Sequence, residues 1–431
     1  MATVSRPSID VDSLIRDEPE KFLVHGSAYT DEAVFAAEMD RIFHRGWVYM
    51  GHESEVPDSG NYRLKWLGLQ SVIMTRDEEG QVHLLMNRCR HRANAVCQTD
   101  GTSHYFRCSY HGWTYNNKGE LVGVPFPSRY GDWFRKEEWG LTRVPRVDSY
   151  RGFIFGSLSP TGISLDEHLG QPAKEQIDLF CDLSPLGQID ATAGCQKMGY
   201  GANWKFQAEN TIDGYHPGVV HASFFEMIQR RTGATVDIFT DTSLGQMRDL
   251  GNGHSLLDSR AYNKASGGAG RALRGVQGQS WAEGYVNDMN QAYGKERAAE
   301  LLTVAGTHMY IWPNLFLLDI QIRVIRPIAA QRSEVSVYPV ILKGVPPQLN
   351  RMRMRQHEAF YGPGSMGQPD DIEIFERTRL GLTSQVDPWL LMARGQQMET
   401  TDSDSTIVGQ VTDEVAQRAL WRHCRKVMSE A

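Results

Sequence analysis

Apolar residues recur at Val34, Phe35, Met39, Ile42 and Phe43, a helical spacing that predicts an amphipathic helix within Tyr29–Met50, leading into a strand at Trp47–Met50. From about Gly51 to Ser159 the pattern changes to short β-type runs, at Ser71–Thr75, Val82–Met86, His104–Arg107 and Phe153–Ser157, separated by turns such as Asn116-Asn117-Lys118-Gly119. That region predicts a small all-β domain. Beyond Pro160 the pattern is mixed. A helical stretch near Glu167–Phe180 is followed by a polar and aromatic region at 200–226, strand-like runs at Ile311–Leu318, Ile320–Ile325 and Glu334–Ile341, and a helical end at Asp413–Met428 carrying Val415, Leu420, Trp421 and Val427. The fold expected is α+β, divided as an N-terminal helical segment (1–40), the β domain (41–159) and a larger domain (160–431). Residues 251–284 are rich in Gly and Ser and are expected to form either a functional lid or a mobile loop.

Composition narrows the function classes. A chain of 431 residues suits two domains, one of them large, and 41% hydrophobic with 23% charged residues is ordinary globular usage. No run approaches the roughly 18 apolar residues of a membrane helix. A net charge of -7 argues against a nucleic-acid binder. The start has early acids and no apolar core, unlike a secretory or transit segment, so a cytoplasmic location is expected. Six dispersed cysteines do not make a disulfide framework.

Two of those cysteines belong to a metal-type pattern. Cys89-x-His91 is followed by Cys108-x-x-His111 within the β region. Two thiolates and two imidazoles suit tetrahedral zinc, although Cys-x-His is an unusual zinc pair. They also suit a [2Fe-2S] centre in which two Cys hold one iron and two His the other. Cys97, inside the loop, reads as a small buried hydrophobe. The second constellation is Asn203-Trp204-Lys205, Glu209-Asn210, Asp213-Gly214-Tyr215-His216-Pro217 and then His221. Five residues exceed one helical turn, so both imidazoles can meet one metal if the helix is distorted, which Pro217 favours. Two imidazoles and one carboxylate make a face that leaves positions open on Fe(II).

The first pattern with its flank His111-Gly112-Trp113 resembles a Rieske domain, and the second string resembles the mononuclear-iron motif of Rieske non-haem-iron ring-hydroxylating oxygenase large (alpha) subunits. The resemblance covers nearly the whole chain. It implies a Rieske [2Fe-2S] domain before a catalytic domain whose antiparallel sheet is flanked by helices, helix-grip-like. Cys89, His91, Cys108 and His111 would bind the cluster, and His216 and His221 one mononuclear Fe(II). The third iron ligand is expected in Gln368-Pro369-Asp370-Asp371-Ile372-Glu373, at Asp371 with Asp370 as the fallback; acids there would equally suit a helix N-terminus. Asp213 would accept from His111 of a neighbouring subunit. The resemblance also implies a trimer of alpha subunits, often with a small β subunit (α3β3), O2 and an aromatic substrate.

Electrons would come from NAD(P)H through a separate reductase, with or without a ferredoxin, since the chain shows no Gly-rich dinucleotide fingerprint. The expected activity is dioxygenation in aromatic catabolism, of an aromatic acid first, with neutral arenes or monooxygenation as alternatives. A pure electron carrier would end near the β domain. Gln207, Asn210, Phe224, Leu315 and Phe360 are expected near the iron. Arginines in Gln321–Pro327 read as surface strand charges, with a substrate carboxylate as the alternative partner.

Overall fold

The short runs between Trp47 and Ser157 pair into three small antiparallel sheets in the computed structural model, which describes residues 10–233, 245–265, 271–273, 275–304 and 308–429. One sheet holds Val82–Met86, Gln70–Arg76, Asn61–Leu67 and Gly101–Thr102; a second holds Leu121–Gly123, Thr114–Asn116 and Tyr105–Arg107; the third holds Arg146–Tyr150, Phe153–Ser157 and Val48–His52. The Asn116–Gly119 turn closes the second sheet's hairpin, with Gly119 N donating to Asn116 O at 3.0 Å. Gly119 has φ +86°, and a Cβ there would press on Leu85 Cδ2 at 2.8 Å, so only glycine fits the turn.

These sheets form one compact unit, Phe43–Glu167; the other joins Met1–Ile42 to His168–Ala431. The second unit is built on a nine-stranded antiparallel sheet. Its order is Gln196–Tyr200, Arg332–Pro339, Gln321–Ala329, Leu315–Leu318, His308–Ile311, His254–Asp258, Gln246–Gly251, Ile407–Gln410 and Thr400–Thr401. The expected mixed architecture is therefore present. The entry helix spans Glu32–Glu38 and continues as a π-helical turn, Met39–His44, with Val34, Phe35, Met39, Ile42 and Phe43 all buried. The last helix, Val415–Ser429, buries Val415, Leu420 and Trp421 and packs on the strands Gln246–Gly251 and His254–Asp258.

Two local expectations are corrected. The run 311–318 is a hairpin, His308–Ile311 and Leu315–Leu318, because Trp312-Pro313-Asn314 interrupts the ladder where proline lacks an N–H. The Gly/Ser-rich stretch opens in a tight turn, Asn252 at φ 52° and Gly253 at φ 77°, and then supplies an interior strand of the large sheet. A helix Arg260–Ala265 follows; residues 266–270 and 274 lie outside the described ones.

That interior strand carries a buried neutral imidazole. His254 Nδ1 accepts from Trp312 N at 3.0 Å and Nε2 donates to His168 O at 2.7 Å, which leaves no place for a second proton. Burial holds His254 and His357 at about 4 and His423 at about 3, against an ordinary 6.5. Burial acts oppositely on Glu209, raised from 4.5 to about 7. Between pH 6.5 and 4.5 the unfolded chain thus takes up three histidine protons that the fold refuses, while the fold keeps one on Glu209. The histidines win, so stability present above pH 6.5 is lost as the pH falls towards 4, by on the order of 2 kcal/mol per pH unit. Thermal unfolding across this range checks it: the melting temperature should drop on acidification, and His423→Leu should flatten the slope. A melting temperature that rises below pH 6 would contradict the assignment.

Candidate metal centres

In the Phe43–Glu167 unit two tight loops bring the four Cys and His residues together. Ala93 N donates to Cys89 O at 3.0 Å and Cys89 N to Asn94 O at 2.9 Å; Gly112 N donates to Cys108 O at 3.0 Å and Cys108 N to Trp113 O at 2.8 Å. Gly112 holds φ +71°, the left-handed conformation that closes the second loop. Both thiols are buried and both imidazoles partly exposed, their ring centroids 4.5 Å apart. His91 also stacks on Trp113 at 5.1 Å.

Burial works against ionising Cys108, yet hydrogen bonds from the Tyr110 and His111 backbone, then from Cys89 and Asn94, carry its thiol below the usual value. A thiolate is what metal binding requires. Burial, then His111 and Arg92, holds His91 below its ordinary value, which favours the neutral, ligating form. His91 Nδ1 is buried with no hydrogen-bond partner, as suits an atom kept for a metal. The site therefore fits a cluster with two sulfur and two nitrogen ligands. Cys97 is buried outside this set and pushed up to about 12 by burial, an inert thiol.

The other centre is built on the short helix Trp204–Thr211. Asn203 caps it, accepting from Lys205 N at 3.1 Å, and ties it down by donating to Tyr29 O at 3.0 Å and Ala330 O at 2.8 Å. Lys205 is fully buried and ion-paired with buried Glu38, whose second oxygen accepts from Trp204 Nε1 at 2.9 Å. Glu209 Oε1 accepts from Tyr29 OH at 2.7 Å and Trp421 Nε1 at 2.8 Å. Each polar residue of the Asn-Trp-Lys and Glu-Asn strings thus has a mechanical task.

The helix then stops. Asp213 Oδ1 accepts from Tyr215 N at 2.5 Å and His216 N at 3.1 Å, folding the loop back. Gly214 passes so close to Val411 O that a Cβ could not be placed. His216 caps a single turn, Pro217–Val220, and His221 sits between that turn and the helix Ala222–Thr232. The histidines therefore meet across a broken chain path rather than along one distorted helix, because Pro217 can start a helix but not continue one.

Asp371 comes from the first turn of the helix Gln368–Gly381. One ligand atom from each of His216, His221 and Asp371 lies within 4.8 Å of the others. Asp371 Oδ1 is 3.6 Å from His216 Nε2 and 3.3 Å from His221 Nε2. Asn210 Nδ2 bridges the same two groups, at 3.1 Å from Asp371 Oδ1 and 3.3 Å from His216 Nε2. Two imidazoles and one carboxylate on one face suit Fe(II) with open positions. Asp370, the fallback, points elsewhere: its Oδ2 is 3.7 Å from His221 Nδ1, on the side of the ring away from the three-atom face. Asp213 Oδ1 takes the matching place 3.6 Å from His216 Nδ1. Each imidazole thus has a carboxylate near its Nδ1, beyond hydrogen-bond distance but on the side from which a ligating histidine is oriented.

Phe360 meets His221 edge-on at 5.0 Å and Phe224 at 4.7 Å. Gln207 accepts from Gln368 Nε2 at 3.2 Å and donates to Thr211 Oγ1 at 2.6 Å. Leu315 is core within its strand. The expectation for the arginines is half overturned. Arg326 is partly exposed and lies 3.6 Å from Glu334, whereas Arg323 is 2% exposed, because that strand lies inside a sheet covered on the Arg323 face. Glu38 and the orienting place of Asp370 were not anticipated; an acid at an otherwise apolar position of the entry helix was the available signal for the first.

Residues 46–150 match the Rieske [2Fe-2S] domain family, and residues 180–430 match the ring hydroxylating alpha subunit (catalytic domain) family. The 2-halobenzoate 1,2-dioxygenase large subunit of Burkholderia cepacia is 32% identical, over 89% of this chain and 83% of that one. The anthranilate 1,2-dioxygenase large subunit of Acinetobacter baylyi is 32% identical, over 85% and 79%. Among solved structures, naphthalene 1,2-dioxygenase from Rhodococcus sp. bound to indole superposes with a TM-score of 0.80 at 26% identity, covering 94% of both chains.

His216→Ala should abolish oxygenation while the cluster's visible absorbance stays intact; loss of both signals together would refute two separate sites. Asp370→Asn should keep the iron but weaken its binding about 10–100-fold in a chelator competition, as loss of an orienting carboxylate does. Unchanged affinity would remove Asp370 from that role.

Proposed function

The chain belongs to the ring-hydroxylating alpha subunit family, with a Rieske [2Fe-2S] domain and a mononuclear-iron catalytic domain, and on that premise we propose that it is the terminal oxygenase of a multicomponent dioxygenase acting on an aromatic acid. Cys89 and Cys108 hold one cluster iron, His91 and His111 the other, and His216, His221 and Asp371 the mononuclear iron. The cluster supplies single electrons and the open Fe(II) face activates O2.

The protein's own residues do the rest. Asp213 and Asp370 fix the two imidazoles, Asn210 steadies Asp371, and Phe224 with Phe360 gives an aromatic ring an apolar wall. Asp213 uses one oxygen for its own loop, and the other receives His111 of a neighbouring copy, so the working unit is a trimer of alpha subunits, with a β subunit as α3β3. A reductase, with or without a ferredoxin, brings electrons from NAD(P)H in the cytoplasm. No described helix is long and apolar enough to cross a membrane.

The observation that carries the oxygenase reading is the convergence of His216, His221 and Asp371 on one point. The acid reading is supported by the 32% identical relatives named for 2-halobenzoate and anthranilate. A second reading, a neutral-arene oxygenase, is supported by the likeness to naphthalene dioxygenase and by the Phe224–Phe360 wall.

The reduced holoenzyme, given ¹⁸O2 with 2-chlorobenzoate, anthranilate, benzoate, naphthalene and biphenyl and followed by mass, decides between them. The acids should yield products carrying two labelled oxygens; label only in naphthalene or biphenyl products would establish the second reading.

A further inference from the structure

Tyr29 stands apart from two other buried phenols of its unit. Tyr310 OH donates to Pro313 O and Tyr285 OH to Leu183 O, each at 2.7 Å, and a backbone carbonyl cannot take up a proton. Tyr29 is equally buried, yet its hydroxyl donates to a carboxylate, Glu209 Oε1, at 2.7 Å. Trp421 Nε1 donates to the same oxygen at 2.8 Å, and its ring meets Tyr29 edge-on at 5.3 Å. Burial raises the Glu209 carboxyl to about 7, so it holds a proton more firmly than an ordinary carboxylate. The difference matters for redox chemistry. An oxidised phenol is a far stronger acid than the phenol itself, so a buried tyrosine gives up an electron readily only where its proton has a place to go.

Two routes join Tyr29 to the three-atom face. Glu209 precedes Asn210, whose Nδ2 lies 3.1 Å from Asp371 Oδ1 and 3.3 Å from His216 Nε2. The second route is aromatic. The Tyr29 ring stacks flat on Phe206, with centroids 4.6 Å and planes 4° apart, and Phe206 stacks on Phe375 at 6.3 Å. Phe375 lies four residues beyond Asp371 on the helix Gln368–Gly381, one turn further along the same face. Phe206 and Phe375 are both buried, so the line from Tyr29 to the helix that carries Asp371 is closed to solvent.

We propose that Tyr29 is a redox site: when O2 has oxidised the mononuclear site and no arene is bound, the Tyr29 phenol supplies one electron to that site and passes its proton to Glu209 Oε1. The O–H bond breaks, a neutral phenoxyl radical and a protonated Glu209 remain, and the iron is lowered by one oxidation state. One electron from the reductase, with the proton handed back by Glu209, restores the phenol. The proposal rests on the oxygenase reading above and adds a function to it. Imidazole ligands are themselves oxidisable, so a site left without substrate damages His216 and His221 unless an electron reaches it from elsewhere.

The test exposes reduced holoenzyme to O2 without any arene, freeze-quenches it and reads electron paramagnetic resonance, with protein grown on ordinary or ring-deuterated tyrosine. Wild type should give an organic radical signal that narrows on deuteration. Tyr29→Phe should lose that signal while iron content and cluster absorbance stay unchanged. Glu209→Gln should lose it too, although its amide oxygen can still accept from Tyr29 and Trp421, because an amide cannot take the proton; a purely mechanical role for the pair would not produce this loss. O2 uptake with no radical, a signal indifferent to deuteration, or one that survives in Tyr29→Phe would overturn the proposal. Should Tyr29→Phe fail to fold, Glu209→Gln decides, and a signal that survives there overturns it as well. Failure of the underlying reading looks different: wild type would then take up no O2 and hold no iron beyond the cluster, and the proposal falls with it.

Discussion

The buried ion pair between Glu38 and Lys205 is the interaction on which the catalytic unit's site depends. Both side chains are almost wholly out of water, and removing one partner of such a pair typically costs about 3–5 kcal/mol. Its value here is positional. The helix Trp204–Thr211 has only eight residues, too few to hold itself, and it must present Asn210 and launch the loop to His216 at a fixed angle. Glu38, Tyr29 and Trp421, from the two ends of the chain, hold it through Lys205, Trp204, Asn203 and Glu209. With that anchor in place, a broken chain path can still set two imidazoles against a carboxylate from a helix 150 residues downstream of His221.

The two centres solve opposite problems. In the β unit the thiols are buried and the imidazoles reach towards the surface, an arrangement for passing an electron outwards without opening the site. In the other unit Asp371 and His221 are buried while His216 keeps some exposure, and each ring has a carboxylate at its far nitrogen. On the proposed reading, these three residues hold the iron and leave its remaining positions to the reactants.

Where chemistry was local, the sequence was legible. Cys89-x-His91 and Cys108-x-x-His111 each lie within one tight loop, and the spacing itself shows it. The string from Asn203 to His221 was legible as a pattern, but the purpose of its Trp, Lys and Glu was not, because their partners lie 166 to 212 residues away. Arg323 was misread for a related reason. Alternation along Gln321–Pro327 shows which residues share a face, and it does not show that the Pro347–Tyr361 helix covers that face. The resemblance already puts Asp371 ahead of Asp370, and the helix start supplies the geometric reason, since neighbouring residues on a first turn point about 100° apart.

Iron and acid-labile sulfide counted per chain in purified holoprotein, beside Asp371→Ala, test the central claim of two separate iron sites in one chain most directly. Wild type should hold about three irons and two sulfides, and the variant about two and two with its cluster spectrum intact. Two irons in the wild type, or sulfide lost together with iron in the variant, would contradict the account.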